Sequence, residues 1–137
     1  MGGETDLGRM LESLAPVLSP ETFVYCTVAW SRAQALGFQP ACLIDEEEGV
    51  TVVCTMEQAE GAGLDFVFPC RRITLTVNSS LEAVGLTAAI AAKLSEAGIS
   101  ANVVAAYYHD QVFVPEARAE EAMAVLSRMG GGEAEPA

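Results

Sequence analysis

Cations are scarce in this sequence: 7 Lys and Arg stand against 19 Asp and Glu, giving a formal charge of -12 over 137 residues. A field of that sign repels phosphate backbones instead of releasing counterions from them, so nucleic acid is not an expected partner. It also disfavours polyanions, yet exerts little net pull on a zwitterion such as a free amino acid. No apolar run approaches the roughly 20 residues of a membrane span, and the start, MGGETDLGRM, lacks the basic flank and apolar stretch of a secretory signal. The expectation is a soluble cytoplasmic protein with no membrane partner. Histidine occurs once, at His109, and the four cysteines, Cys26, Cys42, Cys54 and Cys70, contain no CxxC pair. A zinc site is therefore not expected, and no pattern calls for a metal or a cofactor.

What is present is mostly apolar. Hydrophobic residues make up 51% of the chain, enough to core one ordinary domain or two small ones sharing an interface. Three cysteines stand in the β-branched runs FVYCTV, ACLI and VTVVCT, which reads as small thiols buried in strands; a Cys26–Cys54 pairing is the alternative. TDLGRMLESLAP places Leu7, Met10, Leu11 and Leu14 at helical spacing ahead of Pro16, a short lead-in helix. Strands follow at Thr22–Trp30, Ala41–Asp45 and Val50–Thr55, the last two joined by the acidic turn Glu46, Glu47, Glu48, Gly49. MEQAEGAG allows one or two helical turns before Gly61 and Gly63 end them, and LDFVFPC returns to extended chain.

A second unit opens at Arg71. RRITLTV alternates Ile73, Leu75 and Val77 against Thr74 and Thr76, a strand with one buried face. The following helix carries Leu86, Ile90, Leu94 and Ala97 on one side, and Gly98 is placed to end it in the left-handed conformation with Ile99 folding back on Leu94. SANVVAAYY and QVFVP make two more strands around His109 and Asp110. EARAEEAMAVLSRM supplies a last helix with Ala119, Ala122, Met123, Leu126 and Met129 inward, and GGGEAEPA reads as a disordered acidic tail. Strand, helix, strand, strand, helix, with Phe66–Phe68 or a neighbour to complete a sheet, puts both helices on one face of an antiparallel sheet, the split βαβ arrangement. The first unit repeats that order with its first helix reduced to SRAQALG. The expected fold class is α+β, with residues 1–18 as the lead-in, 19–70 and 71–129 as the two units, and 130–137 as the tail.

Between the strand and the helix of the second unit lies VNSSLEAVGL. Ser79 followed by Glu82 fits a capping box, and four amides at a helix N-terminus lack intrahelical acceptors where the peptide dipoles place about half a positive charge, which suits a carboxylate. Gly85, expected in the first turns of the helix, would open an approach by lacking a β-carbon. Against a ligand, the capping box already satisfies up to two groups, and a glycine equally marks tight packing.

RRITLTVNSSLEAVGLTAAIAAKLSEAGISANVVAAYYHDQVFVPEARAEEAMAVL resembles an ACT domain over Arg71 to about Met129, in its strand, small-residue turn, early glycine, LSEAGIS and YYHDQVFVP; LAPVLSPETFVYCTV onward looks like the partner unit of small tandem ACT-like proteins. The resemblance implies ferredoxin-like βαββαβ units that commonly sense amino acids and pair between units to build their sites. Carried over, it implies a small-molecule ligand, most plausibly an amino acid, near Asn78, Ser79, Ser80, Val84, Gly85 and Leu86, with Asn102 from the facing unit, in a homodimer. Such proteins often read His-Asp-His where this chain has His109, Asp110 and Gln111, a departure that puts any role of that turn in doubt.

The residues leave several readings open beside that one. Asn102 offers both a donor and an acceptor but is also a turn former; Arg71 and Arg72 either neutralise a carboxylate or stand as solvated strand-edge charges. His109 reads as an exposed turn residue, Asp45–Glu48 as a solvated turn, and of Tyr107 and Tyr108 one is expected in the core and one on the sheet face a partner covers. The expected function is a non-enzymatic sensor. Its rivals are a protein-interaction module without a metabolite, and, more weakly, an enzyme pairing a cysteine with His109.

Overall fold

Residues 7–76 and 85–130 are described by a computed structural model. The chain divides into two compact units that are interleaved in sequence: residues 20–70 form an inserted unit, and the residues up to 19 together with those from 71 onward form a flanking unit.

The inserted unit runs from β1 (Ala15–Val28) through α2 (Trp30–Ala33), β2 (Cys42–Glu46), β3 (Gly49–Thr55) and α3 (Met56–Gly61) into β4 (Val67–Thr76). Its strand order is β2-β3-β1-β4, with β2 and β1 both antiparallel to β3. Val24, Cys26, Val50, Val52 and Cys54 alternate onto the face where Ala33 of α2 and Ala59 of α3 pack. The first helix is four residues long, as SRAQALG suggested. α3 carries a capping box that the sequence reading passed over: the Thr55 hydroxyl accepts from Gln58 N at 3.1 Å, and Thr55 N donates to Gln58 Oε1 at 3.0 Å.

The flanking unit begins with α1 (Leu7–Glu12) and continues after β4 with α4 (Leu86–Glu96), β5 (Asn102–Ala105), β6 (Asp110–Pro115) and α5 (Ala119–Met129), the last entered through a 3-10 turn at Glu116–Arg118. Its order is β1-β4-β6-β5. Ile73 and Leu75 of β4 and Val112 and Val114 of β6 share one core with Leu86, Ile90 and Leu94 of α4 and Ala119, Ala122 and Leu126 of α5, so both helices cover one sheet face. The end of α4 follows the expected motif: Gly98 has φ 74°, Gly98 N donates to Ser95 O at 2.9 Å, and Ile99 N donates to Leu94 O at 2.9 Å with the Ile99 side chain buried.

Two strands differ from the sequence reading. β1 starts at Ala15, not Thr22, and its first residues, not Phe66–Phe68, supply the outer strand beside β4 in the flanking unit. Side chains of β4 hold this stretch: Thr76 Oγ1 donates to Ala15 O at 2.7 Å, and Arg71 donates to Ser19 O through Nε at 3.1 Å and Nη2 at 2.7 Å. Pro16 is tolerated because this stretch is the edge of that unit. VFPC and RRITLT are joined in the single strand β4, which includes Phe68, a non-glycine residue at φ 59° whose ring lies edge-on to Tyr25 at 5.7 Å. Trp30 opens α2 and does not end β1.

Arg71→Ala is expected to lower stability by about 1–2 kcal/mol, because it deletes two charge-assisted bonds to a half-buried carbonyl. Denaturant unfolding followed by far-UV circular dichroism checks the figure, and Arg71→Lys, which cannot fork onto one oxygen, is expected to recover only part of the loss.

Candidate functional site

The flanking unit has two distinct ends. β4 and β5 are linked by the α4 crossover, which connects parallel strands, and β6 is antiparallel to β5, so β6 starts beside the end of β4. The last residue of β4, Thr76, the start of α4, the β5–β6 turn and Asp110 therefore lie at one end. The other end holds the close of α4, Asn102, which faces Phe113 across the β5–β6 ladder, and Arg118, whose guanidinium donates to Ala97 O and Gly98 O at 3.1 Å each and to Glu121 Oε1 at 2.8 Å.

At the first end the structure corrects the position expected for Gly85, which precedes the helix and is not in its first turns. α4 starts at Leu86, and Gly85 is its N-cap in the left-handed region at φ 98°. The glycine is required by that backbone conformation, which strains any residue with a β-carbon, and a β-carbon placed there would meet Leu7 Cδ2 at 3.4 Å. Leu86 is 4% exposed and belongs to the core, so only its backbone is available to a ligand. Asn78, Ser79, Ser80 and Val84 lie outside the described residues, as do both members of the expected Ser79–Glu82 box. Asn102 is exposed at the opposite end of the same unit, separated from Gly85 by the 11 residues of α4, about 16 Å of helix. Within the unit Asn102 is therefore not brought together with Gly85 and Leu86.

Asp110 is the residue that sequence reasoning undervalued. It is 7% exposed and is the one charged side chain that is buried among the described residues. Desolvation holds its pKa above the usual carboxylate value, and the neighbouring His109 offsets this in part. The signal was present in the alternation of β6: stepping back by two from Val114 and Val112 reaches Asp110, on the core face that α4 and α5 cover. Beside it, His109 is exposed. Tyr107 and Tyr108 are 77% and 76% exposed, their rings packed edge to face at 4.8 Å, and neither enters the core. Strand alternation does not govern them because β5 ends at Ala105 and both sit in the turn.

The other candidates sort by burial. Cys26 and Cys54 are buried as expected, Cys42 on the edge strand β2 is only partly buried against that expectation, Cys70 is buried as well, and none of the four is in a disulfide. Burial raises the pKa of both Cys26 and Cys54, the latter to about 12, and a hydrogen bond joins the two side chains. Cys70 Sγ donates to Phe23 O at 3.3 Å. The Cys26 and Cys54 thiols therefore stay protonated at neutral pH and are poor nucleophiles. Arg71 is committed to Ser19 O, as described. Glu46 of the acidic turn accepts from the Thr51 hydroxyl, and no group of three potential metal ligands is found among the described residues. On the flanking unit an open groove of about 400 Å³ is lined by Lys93, Glu96, Ala97, Val125, Arg128 and Met129, and none of the residues expected to bind contributes to it. No helix among the described residues is long and apolar enough to cross a membrane.

Comparison with known proteins agrees with this architecture. Residues 2–71 match one family described as ACT domain, and residues 67–128 match a second with the same description. A Vibrio cholerae protein of known structure, described as of unknown function and a possible transport protein, is 44% identical; the match covers 90% of this chain and 95% of that one, with a TM-score of 0.82. The ligand-free regulatory subunit of aspartate kinase from Thermus thermophilus is similar in fold, at 10% identity over 85% of this chain and 97% of that one with a TM-score of 0.68. So is Escherichia coli aspartokinase III in complex with aspartate and ADP, at 12% identity and a TM-score of 0.65, the match covering 86% of this chain and 33% of that one. Among curated proteins none matches.

Proposed function

Because the chain belongs to the ACT-domain family, matched over residues 2–71 and again over 67–128, we propose that it is a non-catalytic regulatory protein that senses a small molecule, an amino acid. The observation that carries this reading is the topology of the flanking unit, which puts the start of α4 and the buried Asp110 at the same end. A helix N-terminus attracts carboxylate and a carboxyl group attracts ammonium, so that end offers both poles of a zwitterion. The aspartate-bound state of the E. coli aspartokinase III structure, which shares the fold, agrees with an amino acid as the ligand class. The reading keeps Asn78, Ser79, Ser80 and Val84, with the backbone of Gly85 and Leu86, as the ligand contacts that the family resemblance implies. Asn102 joins it only from a facing unit, which is why the reading includes a homodimer. Cys26 and Cys54 are buried with raised pKa values, which makes them poor candidates for a nucleophile.

The test is a thermal-shift panel of the twenty standard amino acids on the full chain. One or a few of them are expected to raise Tm in a concentration-dependent way, by about 2.7 kcal/mol of stabilisation at a hundred times Kd. No shift across the panel overturns the amino-acid reading. A second reading, a protein-interaction module without a metabolite, is favoured by one observation, the exposed Tyr107–Tyr108 pair, since exposed aromatic side chains are common anchors of interfaces. It predicts loss of a stoichiometric partner on changing both tyrosines to serine, with no amino-acid shift in either protein.

A further inference from the structure

The inserted unit is the more acidic of the two. Between residues 20 and 70 stand eight acidic side chains and a single cation, Arg32, so this unit carries -7 of the formal charge of -12. Its helical cover is also the thinner. Both units run strand, helix, strand, strand, helix, but where the flanking unit has the 11-residue α4 the inserted unit has the 4-residue α2, about 6 Å of helix against about 16 Å. The sheets show the consequence at equivalent positions. Val103 on the edge strand β5 faces Val112 and packs against the core that α4 helps to close. Leu43 on the edge strand β2 faces Val52 in the same way, on the sheet face that α2 and α3 cover, yet it is 43% exposed. Trp30, the first residue of α2, is 53% exposed, and only Ala33 of that helix is buried. Register brings the acidic turn to the same end: Val28 pairs with Val50 and Val50 with Asp45, so β1 leaves the sheet toward Trp30 beside residues 46–49.

We propose that the sheet face left open by the short α2 docks a basic amphipathic helix of a partner protein. The apolar side of that helix covers Leu43 and Trp30, as α4 covers the corresponding part of the flanking sheet, and its lysines or arginines meet the acidic turn. Charge selects this occupant. A second copy of the chain presents a net negative charge in either unit, and nucleic acid or an anionic membrane presents more, so each is repelled. A helix is favoured over an added strand because Leu43 is uncovered on the face of the sheet, the place a helix fills in the other unit, and not along its hydrogen-bonding edge. Tryptophan is a frequent anchor of such contacts, and a rim of opposite charge speeds encounter and fixes orientation. The proposal is independent of the small-molecule reading, whose residues belong to the flanking unit, and supplies the surface through which a regulatory protein acts on another.

Trp30 is the one tryptophan of the chain and reports on its own burial. The probe is a peptide of about 18 residues without aromatic side chains, with leucine at i, i+3, i+4 and i+7 and lysine elsewhere. Added to the full chain at low salt, it is expected to shift Trp30 emission to the blue in a saturable way, with affinity falling as salt is raised. A shuffled peptide of the same composition keeps the charge, loses the apolar face and is expected to bind about tenfold more weakly. Leu43→Ser, and separately Glu47→Lys combined with Glu48→Lys, are each expected to weaken the ordered peptide about tenfold. All three positions are exposed, so the fold tolerates the changes, and Val17→Ser on the flanking unit, at an equally exposed apolar residue, is expected to leave binding as it was. No blue shift, equal binding of the shuffled peptide, or undiminished binding by Leu43→Ser overturns the proposal. A blue shift on concentrating the chain without peptide also overturns it, by making a second copy the occupant. A silent amino-acid panel does not alter the docking result, and absent docking does not alter the sensor reading.

Discussion

Leu94→Ala is expected to lower the unfolding free energy by about 2–5 kcal/mol, the range for deleting a fully enclosed leucine when its surroundings cannot close the void. Leu94 is 0% exposed and stands among Ile90, Ile99, Ala122 and Leu126 in the core of the flanking unit. Collapse around the void is restricted for a local reason. The Leu94 carbonyl accepts from both Ala97 N at 3.1 Å and Ile99 N at 2.9 Å, so the backbone that would have to move is the one that closes the helix. Urea unfolding monitored by circular dichroism measures the loss. Leu43→Ala on the edge strand β2, where the side chain is already 43% exposed, is the control. It is expected to cost less than about 1 kcal/mol, because little apolar area is withdrawn from the protein interior. A domain of this size has about 5–15 kcal/mol in total, so Leu94→Ala brings unfolding within reach of mild heating. A loss below 1 kcal/mol for Leu94→Ala would mean that α4 is not seated as described.

The parts of this fold that were legible are those whose determinants lie close together in sequence. Leu86, Ile90 and Leu94 repeat at the helical period and are buried together; Ile73 and Leu75 alternate with threonines and are buried together. Gly98 and Ile99 specify a helix end through contacts no more than five residues away. Residues 15–19 show the converse. Nothing in APVLS demands a strand, and their extended conformation comes from Thr76 and Arg71, more than fifty residues later. Because that outer strand arrives from the N-terminal side, the order of elements along the chain did not reveal that one unit is inserted in the other.

The candidate site divides along the same line. Gly85 was legible as a residue needing a reason, but the reason is its own φ, which the sequence does not display. From the sequence Asp110 reads as part of the His109–Asp110 turn, whose role the Gln111 departure puts in doubt. Its burial follows from the register with Ala105 and the phase it shares with Val112 and Val114. Alternation therefore carries functional information when the residue that breaks an apolar row is itself ionisable.

Gly130→Ala is expected to destabilise the flanking unit by about 1–3 kcal/mol, the cost of forcing an extra methyl group into a packed position. Here the glycine answers a need for proximity and not for an unusual backbone angle: its φ of -76° is one that alanine adopts freely. A β-carbon at Gly130 would stand 2.5 Å from the Leu14 carbonyl oxygen and 3.4 Å from Ser127 O, and the nearer contact is with backbone that cannot rotate aside. Accommodation requires either the close of α5 or the start of β1 to shift. Leu14 is itself 6% exposed and packed in the core with Leu126, so a shift there opens apolar contacts as well. Gly63→Ala separates the two causes. Gly63 has φ 69° with nothing within 4 Å of a β-carbon, so its substitution meets conformational strain alone, about 1–2 kcal/mol. Differential scanning calorimetry of the two variants distinguishes them further when each is combined with Leu14→Ala. Leu14→Ala keeps the carbonyl that a Gly130 side chain would meet but removes the packed side chain that a shift of that backbone would displace, so the Gly130 and Leu14 changes are expected to be non-additive, whereas Gly63 and Leu14, in different units, are expected to add. Additivity in the Gly130 pair would show that accommodating the methyl group does not disturb the Leu14 side chain.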